Sequence, residues 1–290
     1  MNTNKFGWTG AAAFFIVLLC MPLGHAAMIL MEHWFEGGEL YLAAFLLGVV
    51  GIAMTAWGVR TKSDNIATLL GFFGGLLVWT GWVEFVYIYF ANELNVAPLV
   101  EDGKVVTKPE YLLLMSSVGF WAIIMVLYVA RVSSGCSFYC WIQSKLRIPI
   151  KERSTPMGAN KSVVTFMETV MLLWSSYLLL MFAYDKSILG DKHPVTIGIA
   201  TACLLWSIWL FVRLLGIKSM GRAIRYSIPT VIIFWTFVEV MGRIGLLKEI
   251  WVEPTTYKTE MTIMLVMLIA VVAIGVFRKK AKNRVSPKGE

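Results

Sequence analysis

Eight stretches of predominantly apolar sequence, each roughly 20 residues long, leave this chain few ways to fold. They run near 9–31, 39–59, 66–91, 111–132, 163–184, 195–215, 223–247 and 260–277. A helix rises ~1.5 Å per residue, so about 20 residues cross the ~30 Å hydrocarbon core of a bilayer. Within that core an isolated stretch satisfies its backbone N–H and C=O groups only as a helix. The predicted fold is therefore all-α, a polytopic bundle of eight transmembrane helices. Composition agrees. The chain is 58% hydrophobic and 15% charged, whereas soluble domains are about 45–50% apolar and about 25% charged.

The loops alternate in charge. Glu32, Glu36 and Glu39 follow the first block, and Arg60 and Lys62 the second. Glu93, Glu101, Asp102 and Glu110 flank the loop after the third, against Lys104 and Lys108. Lys145, Arg147, Lys151, Arg153 and Lys161 follow the fourth. Asp185 to His193 is a mixed loop, Lys218, Arg222 and Arg225 lie near the start of the seventh block, and Arg278, Lys279, Lys280, Lys282 and Arg284 form the tail. Lys and Arg thus gather on every second loop and the tail, which predicts a cell-membrane protein with both termini cytoplasmic. The net charge of +8 follows this topology and calls for no nucleic-acid partner. The expected partners are membrane lipids, a small solute or ion, and other membrane subunits.

The first block has two readings. Lys5, the apolar run through Cys20 and Gly24-His25-Ala26 fit a signal peptide with a small-x-small cleavage site. Retained, the block is the first span and a partner for the fifth.

That pairing comes from an internal echo. The third block contains Trp79-Thr80-Gly81-Trp82-Val83-Glu84-Phe85, then Pro109-Glu110-Tyr111 before the next block. The seventh contains Phe234-Trp235-Thr236-Phe237-Val238-Glu239-Val240, then Pro254-Thr255-Thr256-Tyr257. Gly74 falls where Pro229 falls, and both residues loosen or bend a helix. The expectation is a parallel repeat of two four-helix units, 1–140 and 162–278, joined by a basic linker, 141–161, and ending in a basic tail, 279–290.

Each echoed segment carries one intramembrane glutamate. A charge near bilayer centre costs about 2.5–3.5 kcal/mol on insertion scales, so Glu84 and Glu239 are the leading functional candidates. On an α-helix Glu84 shares its face with Thr80, Gly81 and Tyr87. Glu239 shares its face with Trp235, Thr236, Gly242 and Arg243, and the Glu239–Arg243 spacing permits an intrahelical ion pair. The candidate substrate- or ion-binding set is Glu84, Glu239, Arg243, Thr80, Tyr87 and Thr236. As packing groups, the same glutamates would simply tie helices together. Glu168, six residues into the fifth block, is a weaker third candidate.

Other features have bland readings. His25, Glu32 and His33 share a stripe that suits a metal or haem, yet two of the three sit at the membrane edge. No metal site is assigned and the cofactor stays open. Cys136 and Cys140 lack companion ligands for zinc, and with Cys20 and Cys203 they make no disulfide framework. Gly71 and Gly75 form a helix-packing Gly-x-x-x-Gly. The twelve tryptophans read as aromatic belts and packing.

No nucleophile elbow, zinc-protease helix, phosphate loop or dinucleotide fingerprint occurs, so enzymatic function is not expected. The leading reading is a transporter with a proton- or cation-responsive site between the repeats. The alternative is a membrane-anchor or quinone-interacting subunit of an electron-transfer complex. A lipid-acting enzyme and an assembly factor rank below both.

Overall fold

A computed structural model describes residues 7–101, 103–131, 137–147 and 160–284. Among these, eight helices are long and apolar enough to cross a membrane: Trp8–Trp34, Gly37–Arg60, Asp64–Glu93, Pro109–Ala130, Lys161–Tyr184, Pro194–Leu214, Met220–Arg243 and Lys258–Gly275. They coincide with the eight apolar blocks to within a few residues. The seventh helix stops early, at Arg243 rather than 247. Gly245 takes φ +80° there, and the N–H groups of Leu246 and Leu247 turn back onto the Met241 carbonyl. A left-handed glycine closing the last turn is a common helix terminator. Cys136 and most of the basic linker lie outside the described residues.

The third and seventh spans meet at the centre. The first span packs on the seventh and eighth, and the fifth packs on the third. The second span lies against the third and fifth, the sixth against the seventh and first, and the fourth against the fifth. The seventh span is the most enclosed; the fourth, sixth and eighth show most of their surface to the surroundings. Lipid tails are as apolar as leucine, so close packing and polar contacts, rather than hydrophobic exclusion, hold such helices together. Gly71 and Gly75 illustrate this. A side chain at Gly71 would strike the Ser162 backbone, and one at Gly75 would press on Phe166 and Thr169. Both glycines therefore face the fifth span and let it approach.

A polar lock joins the central pair at the end of the bundle where both begin. Arg225, 3% exposed, donates to Asp64 Oδ1 at 3.0 Å and to the Thr68 hydroxyl. One turn away the Gly221 N–H donates to Asn65 Oδ1 at 2.9 Å. Arg225, grouped by sequence with loop charges, is thus an interior residue of the seventh span.

At the opposite end, the loop after the third span forms a short antiparallel hairpin, β1 (Leu99–Glu101) and β2 (Lys104–Thr107). Gly103, at φ +75°, makes the tight turn. Sequence patterning suggested only a loop there. The hairpin and residues 249–252 close over a cavity between the first, fifth and seventh spans.

Candidate functional site

The cavity holds about 370 Å³ and its wall is mostly apolar. The first span contributes His25, the fifth Tyr177 and Tyr184, and the seventh Trp235, Glu239 and Arg243. Glu249 and Trp251 complete the rim beside the hairpin.

Glu84 lies just behind this wall, buried at 9% exposure. The residues before it do not continue the α-helix: Trp79–Glu84 forms a π-helical turn. A π turn accommodates one extra residue within a helix, and such turns recur at functional sites. Here the turn brings the Trp79 indole N–H to Glu84 Oε1 at 2.9 Å, across five residues. In the seventh span the Trp235 indole N–H reaches Glu239 Oε1 at 2.6 Å, across four. The sequences differ in the same way, because Trp79-Thr80-Gly81-Trp82-Val83-Glu84 has one residue more than Trp235-Thr236-Phe237-Val238-Glu239. The wider turn spans the longer spacing, so that each span makes an indole–carboxylate bond. Gly81 fits within it because a side chain would hit the Ala44 carbonyl of the second span.

Two side chains connect the carboxylates. The Tyr177 hydroxyl donates to Glu84 Oε1 at 3.1 Å and lies 3.2 Å from His25 Nε2. His25 Nε2 is in turn 3.7 Å from Glu239 Oε1. Tyr177 is fixed by stacking on Tyr111 at 5.7 Å and Trp79 at 5.4 Å between ring centroids. Four residues from four spans thus make one chain: Glu84, Tyr177, His25, Glu239.

The hydrogen count in this chain couples its members. His25 Nδ1 faces the Met21 carbonyl at 3.1 Å, an acceptor only, so Nδ1 carries a proton. If Nε2 is also protonated, it donates to the Tyr177 oxygen while the Tyr177 O–H donates to Glu84. If Nε2 is bare, it can only accept, and it competes with Glu84 for the single Tyr177 proton. A proton on Nε2 therefore holds the tyrosine O–H on Glu84, and its loss frees that O–H to turn to the imidazole.

The remaining sequence candidates distribute around this chain. Thr80 sits in the π turn with its hydroxyl beside the Glu84 carboxyl. Thr236 is 2% exposed and shares a 2.9 Å hydrogen bond with Ser176, tying the seventh span to the fifth. Tyr87 packs half-buried on the core and is not among the cavity residues. Arg243 turns away from Glu239. Its Nε lies 3.5 Å from Asp191, its Nη2 donates to Thr107 at 2.9 Å, and its guanidinium sits 4.8 Å from the Tyr184 ring centre. Glu168 lies apart from the cavity, accepting from Tyr128 at 3.2 Å.

The His25–Glu32–His33 stripe is divided. His25 belongs to the chain, Glu32 binds Lys108 at 3.1 Å, and His33 borders a separate groove with Pro254 and Lys258. Among the described residues no three His, Cys, Asp or Glu side chains group closely enough to hold a metal. Sequence reasoning missed Tyr177, Tyr184 and Glu249. A signal for the first existed: Trp174-Ser175-Ser176-Tyr177 is a polar break inside the fifth apolar block. Glu249, outside the spans, had none. Burial, with help from Glu239, pushes its carboxyl up to about 7, while His25 and Arg243 oppose the rise.

The eight apolar helices fit an integral, multi-pass membrane protein. Compared with known proteins, the chain matches no family model, no curated protein and no solved structure.

Proposed function

We propose that this protein is a cell-membrane permease whose transport cycle is coupled to protonation of the Glu84–Tyr177–His25–Glu239 chain, with both termini in the cytoplasm. The carrying observation is the chain itself. A carboxylate kept among apolar helices is costly, and here two of them share one titratable path that ends at a solute-sized cavity. Arg243, Thr80 and Thr236 act as positioning residues. Arg243 anchors the hairpin to the cavity rim, and Thr80 and Thr236 brace the two glutamate-bearing spans.

Two observations support the parallel repeat in this reading. The first is the one-residue offset between the two Trp–Glu bonds. The second is the pairing of spans: first with seventh matches fifth with third, and second with third matches sixth with seventh. In such a repeat the opening helix of each half crosses to the other half. A site at that interface changes when the halves rock, as alternating access requires.

The mostly apolar, aromatic wall also supports the second reading, a quinone-interacting subunit, because buried carboxyl, imidazole and phenol groups can protonate a quinone head. One preparation separates the two. The protein is purified with its lipids, co-purifying small molecules are identified by mass, and the protein is reconstituted with a pH dye inside the vesicles. A solute panel is then screened for internal pH change. The permease reading expects at least one solute to move protons, with Glu84→Gln and Glu239→Gln each lowering that flux about tenfold or more while both variants elute as folded protein. Stoichiometric quinone without solute-linked proton movement establishes the second reading. Unaltered flux in both variants removes the role assigned to the glutamates.

A further inference from the structure

We infer that the cavity binds an organic cation, a protonated amine or quaternary ammonium, between the Glu239 and Glu249 carboxyls and the aromatic wall of Trp235, Trp251, Tyr177 and Tyr184. This deepens the permease reading by naming the solute class, and its binding step can be tested without transport.

Charge selects the class. The two basic side chains on the cavity wall are already engaged. Lys108 Nζ lies 3.1 Å from Glu32 and 3.7 Å from Glu110. Arg243 is pinned by Asp191, Thr107 and the Tyr184 ring. Three acids thus answer two bases, and Glu239 and Glu249 still face the cavity with His25 as the remaining counter-charge. Glu249 makes no side-chain hydrogen bond or ion pair among the described residues. Its carboxyl packs on Gly242, where any side chain would strike it at about 2.6 Å. An anionic solute would meet this acidic excess, whereas a cation would relieve it.

Shape and polarity agree. A volume of about 370 Å³ lies at the small end of ligand sites, which run from about 300 to about 1,000 Å³. Trp235 and Trp251 meet at 4.8 Å between centroids and 49° between planes, forming a corner. Aromatic faces carry negative quadrupole charge and hold quaternary ammonium groups without hydrogen bonds. The Tyr184 ring already accepts one cation, Arg243. Tyr184 lines the cavity, and its buried hydroxyl has no hydrogen-bond partner among the described residues. A buried hydroxyl left unmatched is destabilising, and an ammonium N–H or a solute hydroxyl would satisfy it.

Proton and cation then compete for the same acids. The charged and titratable groups around Glu249 are Glu239 and Arg243 of the seventh span and His25 of the first, and Tyr184 of the fifth, with Lys108 elsewhere on the cavity wall. The carboxyl titrates near 7. It is therefore increasingly protonated as pH falls below that value, and apparent cation affinity should fall there by about tenfold in all, the loss expected of Glu249→Gln, and level off above.

The test uses the full chain in discs of zwitterionic lipid, with tryptophan fluorescence and calorimetry following choline and benzyltrimethylammonium. The uncharged isostere 3,3-dimethylbutan-1-ol is the control for choline. The expected result is saturable binding of at least one cation and binding of the alcohol about tenfold weaker than choline or worse. Cation affinity is expected to weaken about tenfold in Glu249→Gln and in Glu239→Gln, and to rise from pH 6 to pH 8. Glu249 lies outside the spans, so its variant carries the test if Glu239→Gln fails to fold. Equal binding of choline and the alcohol, unchanged cation affinity in Glu249→Gln, or no saturable cation binding overturns the inference. Cation binding with the expected profile but no proton-linked flux in vesicles leaves the site standing and removes the permease reading instead.

Discussion

Tyr177→Phe is expected to cut proton-driven uptake about tenfold or more while leaving solute exchange at equal pH close to wild type. General acid–base groups contribute about 10²–10⁴ in rate, so breaking the path at its midpoint should exceed tenfold. The substitution removes one oxygen and keeps the ring between Tyr111 and Trp79. Two groups lose a partner, Glu84 Oε1 at 3.1 Å and His25 Nε2 at 3.2 Å. Leaving buried groups short of a hydrogen bond costs about 1–3 kcal/mol, so the protein should still fold. The contrast between driven uptake and exchange carries the meaning. A residue that merely shaped the cavity would lower both equally. His25→Gln should behave like Tyr177→Phe, because glutamine can reach the tyrosine but cannot take up the proton. Equal loss of uptake and exchange in both variants would reduce the chain to packing.

The second large effect concerns stability. Asp64→Ala is expected to destabilise the protein by about 3 kcal/mol. Removing one partner of a buried ion pair costs about 3–5 kcal/mol, and the lower end applies because the Asp64 side chain is 40% exposed while that of Arg225 is 4%. The change takes the carboxylate from Arg225 and leaves it the Thr68 hydroxyl. Thermal unfolding in detergent should show a midpoint lower by several degrees. The double variant Asp64→Leu/Arg225→Leu should recover much of the loss, since it buries no charge. If the single variant unfolds with the wild type, the central spans are held by other contacts.

Much of the architecture was legible because lipid imposes one solution on a long apolar stretch. Length and hydropathy were enough for the eight helices, and loop charge for their expected orientation. The glutamates were legible because an acid in an apolar block stands out. Their connection was not, because it depends on helix neighbours that hydropathy cannot rank. The first span packs on the seventh and the fifth on the third, which brings His25 and Tyr177 between the two acids. Sequence reasoning tied His25 to Glu32 and His33 by helical spacing, whereas the partner that matters lies 152 residues away. Spacing also suggested a Glu239–Arg243 pair. Asp191, in the loop after the fifth span, and Thr107 of the hairpin take the arginine instead. The π turn at Trp79–Glu84 was hidden for another reason. Only a comparison that permits a one-residue gap between the echoed segments reveals it, and matching the glutamates at a fixed separation removes that gap.

The most direct test is infrared titration of the carboxyl stretch in lipid discs, comparing wild type, Glu84→Gln, Glu239→Gln and the double variant, each with and without Tyr177→Phe. If the two acids share one proton network, removing either glutamate shifts the titration of the band left by the other, and Tyr177→Phe abolishes that shift. Bands that titrate independently, unmoved by loss of the other acid or of the hydroxyl between them, would contradict the coupling of Glu84 to Glu239.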